Sequence, residues 1–130
     1  MKKVIRRLPD SELEIMLVLW KAGRPMTSAE ISDRLRNGKK WKITSVLTFL
    51  SRLAEKGFVS VEKNGRANLY GALIREEDYL QQESKTILEK LYGNSLTAFV
   101  SSLFDGRSVG KEDLDELRRY LEDRTGGKKE

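Results

Sequence analysis

Cysteine and histidine are both absent from this chain. Without a thiol there is no disulfide framework and no thiolate metal site. Without an imidazole, the commonest general base, the commonest zinc ligand and the usual nucleophile pairs are missing. No Gly-rich phosphate loop appears, and no carboxylates at metal-ligand spacing. The acids Glu112, Asp113, Asp115 and Glu116 crowd the start of an amphipathic stretch, which is ordinary helix solvation. An enzyme would have to run on Asp, Glu or Lys alone, so enzymatic activity, a cofactor and a metal are not expected. No apolar run approaches the roughly 20 residues needed to cross a bilayer. The start, MKKVIRR, lacks an apolar h-region and a small-residue cleavage site, so it is no secretory signal. A soluble cytoplasmic protein without membrane insertion is the expectation.

What the chain has is charge, unevenly placed. Charged residues make up 35% of the 130, above the roughly 25% of ordinary globular domains. Residues 1–74 hold 15 Lys and Arg against 7 Asp and Glu; residues 75–130 hold 10 against 13, giving the overall +5. A basic first part joined to a mildly acidic second part suggests that the first part meets a polyanion. A merely solvated basic surface is the plainer explanation.

The most informative stretch is WKITSVLTFLSRLAEKGFVSVEKNGRANLY, residues 41–70. At 100° per residue, Thr44 to Lys56 places Val46, Leu50 and Leu53 on one side, flanked by Phe49 and Ala54. Thr44, Thr48 and Ser51 fall on the other, with Ser45 and Arg52 beside them. That is a buried stripe opposite a face of short hydrogen-bonding side chains. Gly57 can take the left-handed conformation that ends a helix. FVSVEK and RANLYGAL then flank Asn64-Gly65, a strong hairpin signal. A type I′ turn on those two residues pairs Lys63 with Arg66, Val61 with Asn68 and Val59 with Tyr70, and leaves Lys63, Asn64 and Arg66 at a basic tip.

Upstream, residues 1–7 are a basic arm, either a phosphate contact or a solubilising tail. Ser11 and Glu14 fit a capping box opening a first helix, with Leu13, Met16, Leu17 and Trp20 as its stripe and Gly23 as its end. Thr27 and Glu30 form a second capping box, with Ile31 and Leu35 buried, on a short helix ending near Asn37-Gly38. Two short helices, a basic turn at Lys39-Lys40, a third helix and a hairpin make the order of a winged helix-turn-helix. A helix outlined by Thr44, Ser45, Thr48, Ser51 and Arg52 can enter a major groove, with Thr44, Thr48 and Ser45 at base edges. Arg52 is assigned to phosphate, and Lys39, Lys40, Lys42, Lys63 and Arg66 clamp the backbone on either side. Trp41 packs, with a partial backbone role.

From Leu73 the pattern changes. Residues 75–92 read as one long helix with Leu80, Ile87, Leu88 and Leu91 as apolar positions, broken at Gly93-Asn94. Residues 95–104 carry Leu96, Phe99, Val100, Leu103 and Phe104 at i, i+3, i+4, i+7 and i+8. Asp105-Gly106 turns the chain into a last helix, about 111–124, that buries Leu114, Leu117 and Leu121. Some fifty residues without a staple rarely fold alone. Packing on the same helices of a second chain is therefore expected, through Leu80, Ile87, Leu91 and the later apolar positions. The fold class expected is mainly α with a small β-hairpin: a winged helix-turn-helix domain at 1–74, a C-terminal α-helical dimerisation domain at 75–124, and a flexible tail at 125–130.

Several motifs resemble the BlaI/MecI/CopY family of bacterial transcriptional repressors. LEIMLVLW looks like that family's first helix and TSAEISDRL like its second. WKITSVLTFLSRLAEKGFV is similar to its recognition helix, most specifically through Arg52, Leu53, Lys56 and Gly57. GNSLTAFVSSLF and KEDLDELRRYL look like its dimerisation helices. The resemblance implies a homodimeric repressor bound to a two-fold related DNA operator through a recognition helix at 43–56 and a basic wing. In the penicillinase-type branch it also implies release by a membrane sensor protease, at a position matching Ala98-Phe99. The family has Asn-Phe there. Thr44 and Leu47 stand where penicillinase-type members often carry Lys and Arg. The copper branch needs a cysteine cluster that this chain lacks. A winged helix used only for protein contacts is the alternative function.

Overall fold

The computed structural model describes residues 5–35 and 41–126. Its order is α1 (Asp10–Ala22), α2 (Ser28–Arg34), α3 (Ile43–Glu55), β1 (Val59–Asn64), β2 (Ala67–Ala72), α4 (Glu76–Tyr92), α5 (Leu96–Asp105) and α6 (Lys111–Leu121), then a π-type turn Glu122–Gly126. Mainly α with one antiparallel hairpin is the class expected. The chain divides into two compact units, Met1–Glu83 and Ser84–Glu130.

In the first unit, α1, α2 and α3 pack around Ile15, Met16, Leu19, Ile31, Val46, Leu50 and Leu53, all buried. Burying an aliphatic side chain of this size is worth about 1.5–3 kcal/mol relative to exposure. Three features tie the helices to the hairpin. Gly57 has φ +84°, and behind it the Phe58 N–H reaches the Leu53 carbonyl at 2.9 Å while the Gly57 N–H reaches Ala54 at 3.1 Å. This is a Schellman end with Phe58 and Leu53 as its apolar contact. Met26 exchanges two backbone bonds with Tyr70, at 3.0 and 2.8 Å, so the connection before α2 lies along β2. Gly71 permits that approach, since a Cβ there would sit 3.2 Å from Ser60 Oγ and 3.5 Å from Pro25 Cγ. The Thr27–Glu30 capping box forms as expected. The N–H of Thr27 on its carboxylate, then the Arg24 guanidinium, hold Glu30 below the usual carboxylate range.

Several expectations need correction. The hairpin register is Asn64↔Ala67, Lys63↔Asn68, Val61↔Tyr70 and Val59↔Ala72, so the turn residues are Gly65 and Arg66. Only Gly65 has positive φ, +68°. A type I′ turn on Asn64-Gly65 needs positive φ at both, whereas glycine alone at the first central position suits type II′. Each residue's partner moves by two, so the faces are kept. At α1 the Ser11–Glu14 box does not form. The helix starts two residues earlier, at Asp10, with Pro9 at the N-cap and no side-chain bond. Its buried face is Glu12, Ile15, Met16 and Leu19, and Leu17 is 45% exposed. Hydrophobic spacing cannot locate a face that includes a glutamate.

The basic arm is packed from its middle onward: Ile5 lies against the core and Leu8 is buried. Arg7 pairs with Glu83 at 3.0 Å. The early turns of α4 belong to this unit. Tyr79 is 2% exposed, its hydroxyl accepts the Leu8 N–H at 3.0 Å, and its ring meets Trp20 and Phe58 at 5.7 and 6.0 Å. Trp20 Nε1 donates to the Ile74 carbonyl at 2.8 Å. The change of pattern at Leu73 marks the end of the hairpin; the change of packing comes at Glu83.

In the second unit, Gly93 and Asn94 both take left-handed φ, +55° and +67°, between α4 and α5. Ser95 caps α5 through the Ala98 N–H at 3.0 Å. The left-handed residue after α5 is Arg107, φ +64°, rather than a residue of the Asp105-Gly106 pair. The Tyr92 and Phe99 rings meet at a tilt of 58°, 5.2 Å apart. Leu114, Leu117 and Leu121 are not buried within one chain: Leu117 and Leu121 are 37% and 44% exposed, and neither α5 nor α6 has a buried residue.

Candidate nucleic-acid interface

α3 is amphipathic as its sequence dictates. Val46, Leu50 and Leu53 are buried, while Thr44, Leu47, Thr48, Ser51, Arg52 and Glu55 are exposed. Ser45 is half-buried at the edge of the outward face. The Thr48 hydroxyl donates to the Thr44 carbonyl at 3.0 Å, as threonines in helices often do. Its proton is therefore engaged within the helix, and its lone pairs and methyl remain for an outside partner.

Aromatic and cationic side chains accompany this face on the same unit. Trp41 is half-buried and meets Phe49 edge-on at 5.4 Å. The Arg52 guanidinium lies over the Phe49 ring at 5.8 Å, which keeps the cation near the helix surface. Lys42 precedes the first turn and is exposed; Lys63 and Arg66 are exposed on the hairpin, beside and within its turn. The unit thus presents a helix face of hydroxyls and methyls, with four exposed cations on the same basic unit. Lys39 and Lys40 lie outside the described residues.

Sequence reasoning missed two outward residues of α3. Ile43 is 44% and Leu47 40% exposed. At 100° per residue Leu47 lies about 40° from Ser51, and Ile43, the first residue of α3, lies about 40° further toward the buried stripe; neither was among the face residues read from the sequence. It also missed the ion pair that braces the helix. Glu12 of α1 is buried and meets Lys56 Nζ at 2.5 Å, just past the end of α3.

Of the residues expected at a dimer contact, Leu80, Leu91, Leu96, Phe104, Leu117 and Leu121 are exposed. Ile87, Phe99, Val100, Leu103 and Leu114 are half-buried. Leu80 falls in the first unit. Ala98 is exposed and Phe99 half-buried in the first turns of α5. Among the described residues no helix is long and apolar enough to cross a membrane.

The sequence model of the family described as penicillinase repressor matches residues 8–123. The penicillinase repressor of Bacillus licheniformis is 33% identical over 128 residues, covering 98% of this chain and 99% of that protein. The methicillin resistance regulatory protein MecI of Staphylococcus aureus (strain N315) is 24% identical over 114 residues, 88% of this chain and 92% of that one. A solution structure of the DNA-binding domain of the repressor BlaI matches with a TM-score of 0.52 at 35% identity, covering 60% of this chain and 94% of that domain. The winged-helix order, the end-to-end likeness and the matched family model agree, and the chain belongs to the penicillinase repressor family, the BlaI/MecI group.

Proposed function

We propose that the chain is a homodimeric, sequence-specific DNA-binding repressor of transcription. α3 enters the major groove, and Lys42, Arg52, Lys63 and Arg66 hold phosphates on either side, with Lys39 and Lys40 assigned to the same clamp. The observation that carries this reading is the exposed Thr44–Thr48–Ser51 face of α3 on a basic winged unit. Relatives named as penicillinase repressors, and one named as a resistance regulatory protein, support it. Solvated helix faces ordinarily carry long charged side chains; a short-chain face lets the helix backbone approach base edges closely.

Dimerisation runs through residues 75–124. Its support is that Leu96, Phe104, Leu117 and Leu121 are all more than a third exposed in a single chain, while no residue of α5 or α6 is fully buried. Isolated exposed leucines are unremarkable, but a run of them on neighbouring helices marks an interface. Two copies related by a dyad read two half-sites about one helical turn apart, or a multiple of it. Cleavage by a membrane sensor protease at Ala98–Phe99 would split the dimerisation region and release the operator.

Selection of duplexes from a random pool by the full-length chain tests the reading. Dyad-related half-sites are expected, together with weaker binding to one isolated half-site. Failure to enrich any sequence over random duplex would instead favour a winged helix that docks a protein.

A further inference from the structure

We infer that α3 reads thymine through its C5-methyl group, with Leu47 as the specificity-determining residue and Ile43 beside it. The inference rests on α3 entering the major groove, and it says what the helix recognises there.

The major groove offers four base patterns, each with a matching side chain. Arg or Lys pairs with guanine, Asn or Gln with adenine, Asp or Glu with cytosine, and apolar groups touch the thymine methyl. The thirteen residues of α3, ITSVLTFLSRLAE, contain no Asn, Gln or Lys. Their one arginine, Arg52, lies late in the helix over the Phe49 ring. Their one acid, Glu55, is the last residue. Base contacts come mainly from the N-terminal part of a recognition helix. What that part presents is Ile43 at 44% exposure, Leu47 at 40%, and exposed Thr44 and Thr48. Thr48 has already given its hydroxyl proton to the Thr44 carbonyl. At 100° per residue these four span an arc of about 140°. Ile43 and Leu47 are four apart, so they form one continuous apolar patch.

Thymine suits this patch because its methyl is the only apolar group a base pair places in the major groove. The surroundings favour DNA over an apolar protein partner: exposed Lys42 directly precedes Ile43 in the chain, Arg52 follows on the same helix, and the hairpin carries Lys63 and Arg66. Such cations suit a polyanion.

The experiment uses the full-length chain and a duplex obtained by selection. Each thymine of one half-site is replaced singly by deoxyuridine, which removes only the methyl, and affinity is measured at fixed salt. One or two positions should weaken binding about three- to fivefold, the worth of burying one methyl-sized group. Leu47→Ala should bind the unmodified site more weakly by a similar factor and lose the distinction between thymine and uracil at one of those positions. Its salt dependence should equal that of the unchanged chain, because no phosphate contact is removed. A selected site in which every uracil is tolerated, or in which Leu47→Ala stays equally methyl-sensitive throughout, overturns the inference while leaving groove binding intact. Failure to select any site overturns both.

Discussion

Substitution of Lys56 by Met should destabilise the first unit far more than substitution of its partner. Glu12 is the buried charged residue among the described residues of that unit, 2% exposed. Lys56 Nζ lies 2.5 Å from its carboxylate, and the two side chains are 22% and 3% exposed respectively. Removing one partner of a buried pair costs about 3–5 kcal/mol when the other is left uncompensated. Lys56→Met leaves the carboxylate of Glu12 buried in the α1–α3 interface without its cation. The partial exposure at Lys56 admits some solvent, so about 3 kcal/mol is the appropriate end of that range. Glu12→Gln leaves the ammonium on a flexible stem that can swing outward, and a neutral amide can still accept its hydrogen bond. About 1 kcal/mol is expected there. Replacing both, as Glu12→Leu with Lys56→Met, should recover most of the larger loss, because an apolar pair carries no desolvation penalty. Urea unfolding followed by fluorescence of Trp20 and Trp41 reads the unit directly, with the slope against urea held constant between variants. The reasoning is refuted if Lys56→Met costs under about 0.5 kcal/mol, or less than Glu12→Gln.

Changing Lys42, Lys63 and Arg66 together to Ala should lower the slope of log K against log salt by up to roughly 0.9 per lost phosphate contact, on random and selected duplexes alike. An unchanged slope removes them from the clamp. Phe99→Asp with Leu103→Asp should give a monomer, or a chain with its second unit unfolded, by sedimentation; a stable dimer would contradict the assigned interface. Tyr79 supplies a pH effect. Burial raises its hydroxyl above the ordinary 10.0, opposed by the Leu8 N–H that it accepts. The folded chain then keeps a proton that the unfolded chain has lost, so this stability is present below pH 10.0 and is lost as pH rises through and beyond it. Tyr79→Phe should flatten the alkaline decline while costing about 1–3 kcal/mol at neutral pH, because the Leu8 N–H loses its acceptor. An alkaline limb as steep in Tyr79→Phe as in the unchanged chain counts against that assignment.

Local signals determined much of the first unit. The Thr27–Glu30 box, the stop at Gly57 and the stripe of Val46, Leu50 and Leu53 each depend on residues within a turn or two of one another, so the sequence shows them directly. The outward face of α3 was legible for the same reason, and so was the hairpin, though not its register. Moving the turn from Asn64-Gly65 to Gly65-Arg66 preserves which residues share a face, and hydrophobic pattern alone cannot separate the two. Tertiary structure decided what distant residues do to one another. Glu12 reads as a surface acid until Lys56, 44 positions later, is placed against it. Tyr79 reads as part of a polar helix until Leu8, 71 positions earlier, donates to its hydroxyl. A charge or hydroxyl can be buried only where the fold supplies its partner, and no local spacing encodes a partner that far along the chain.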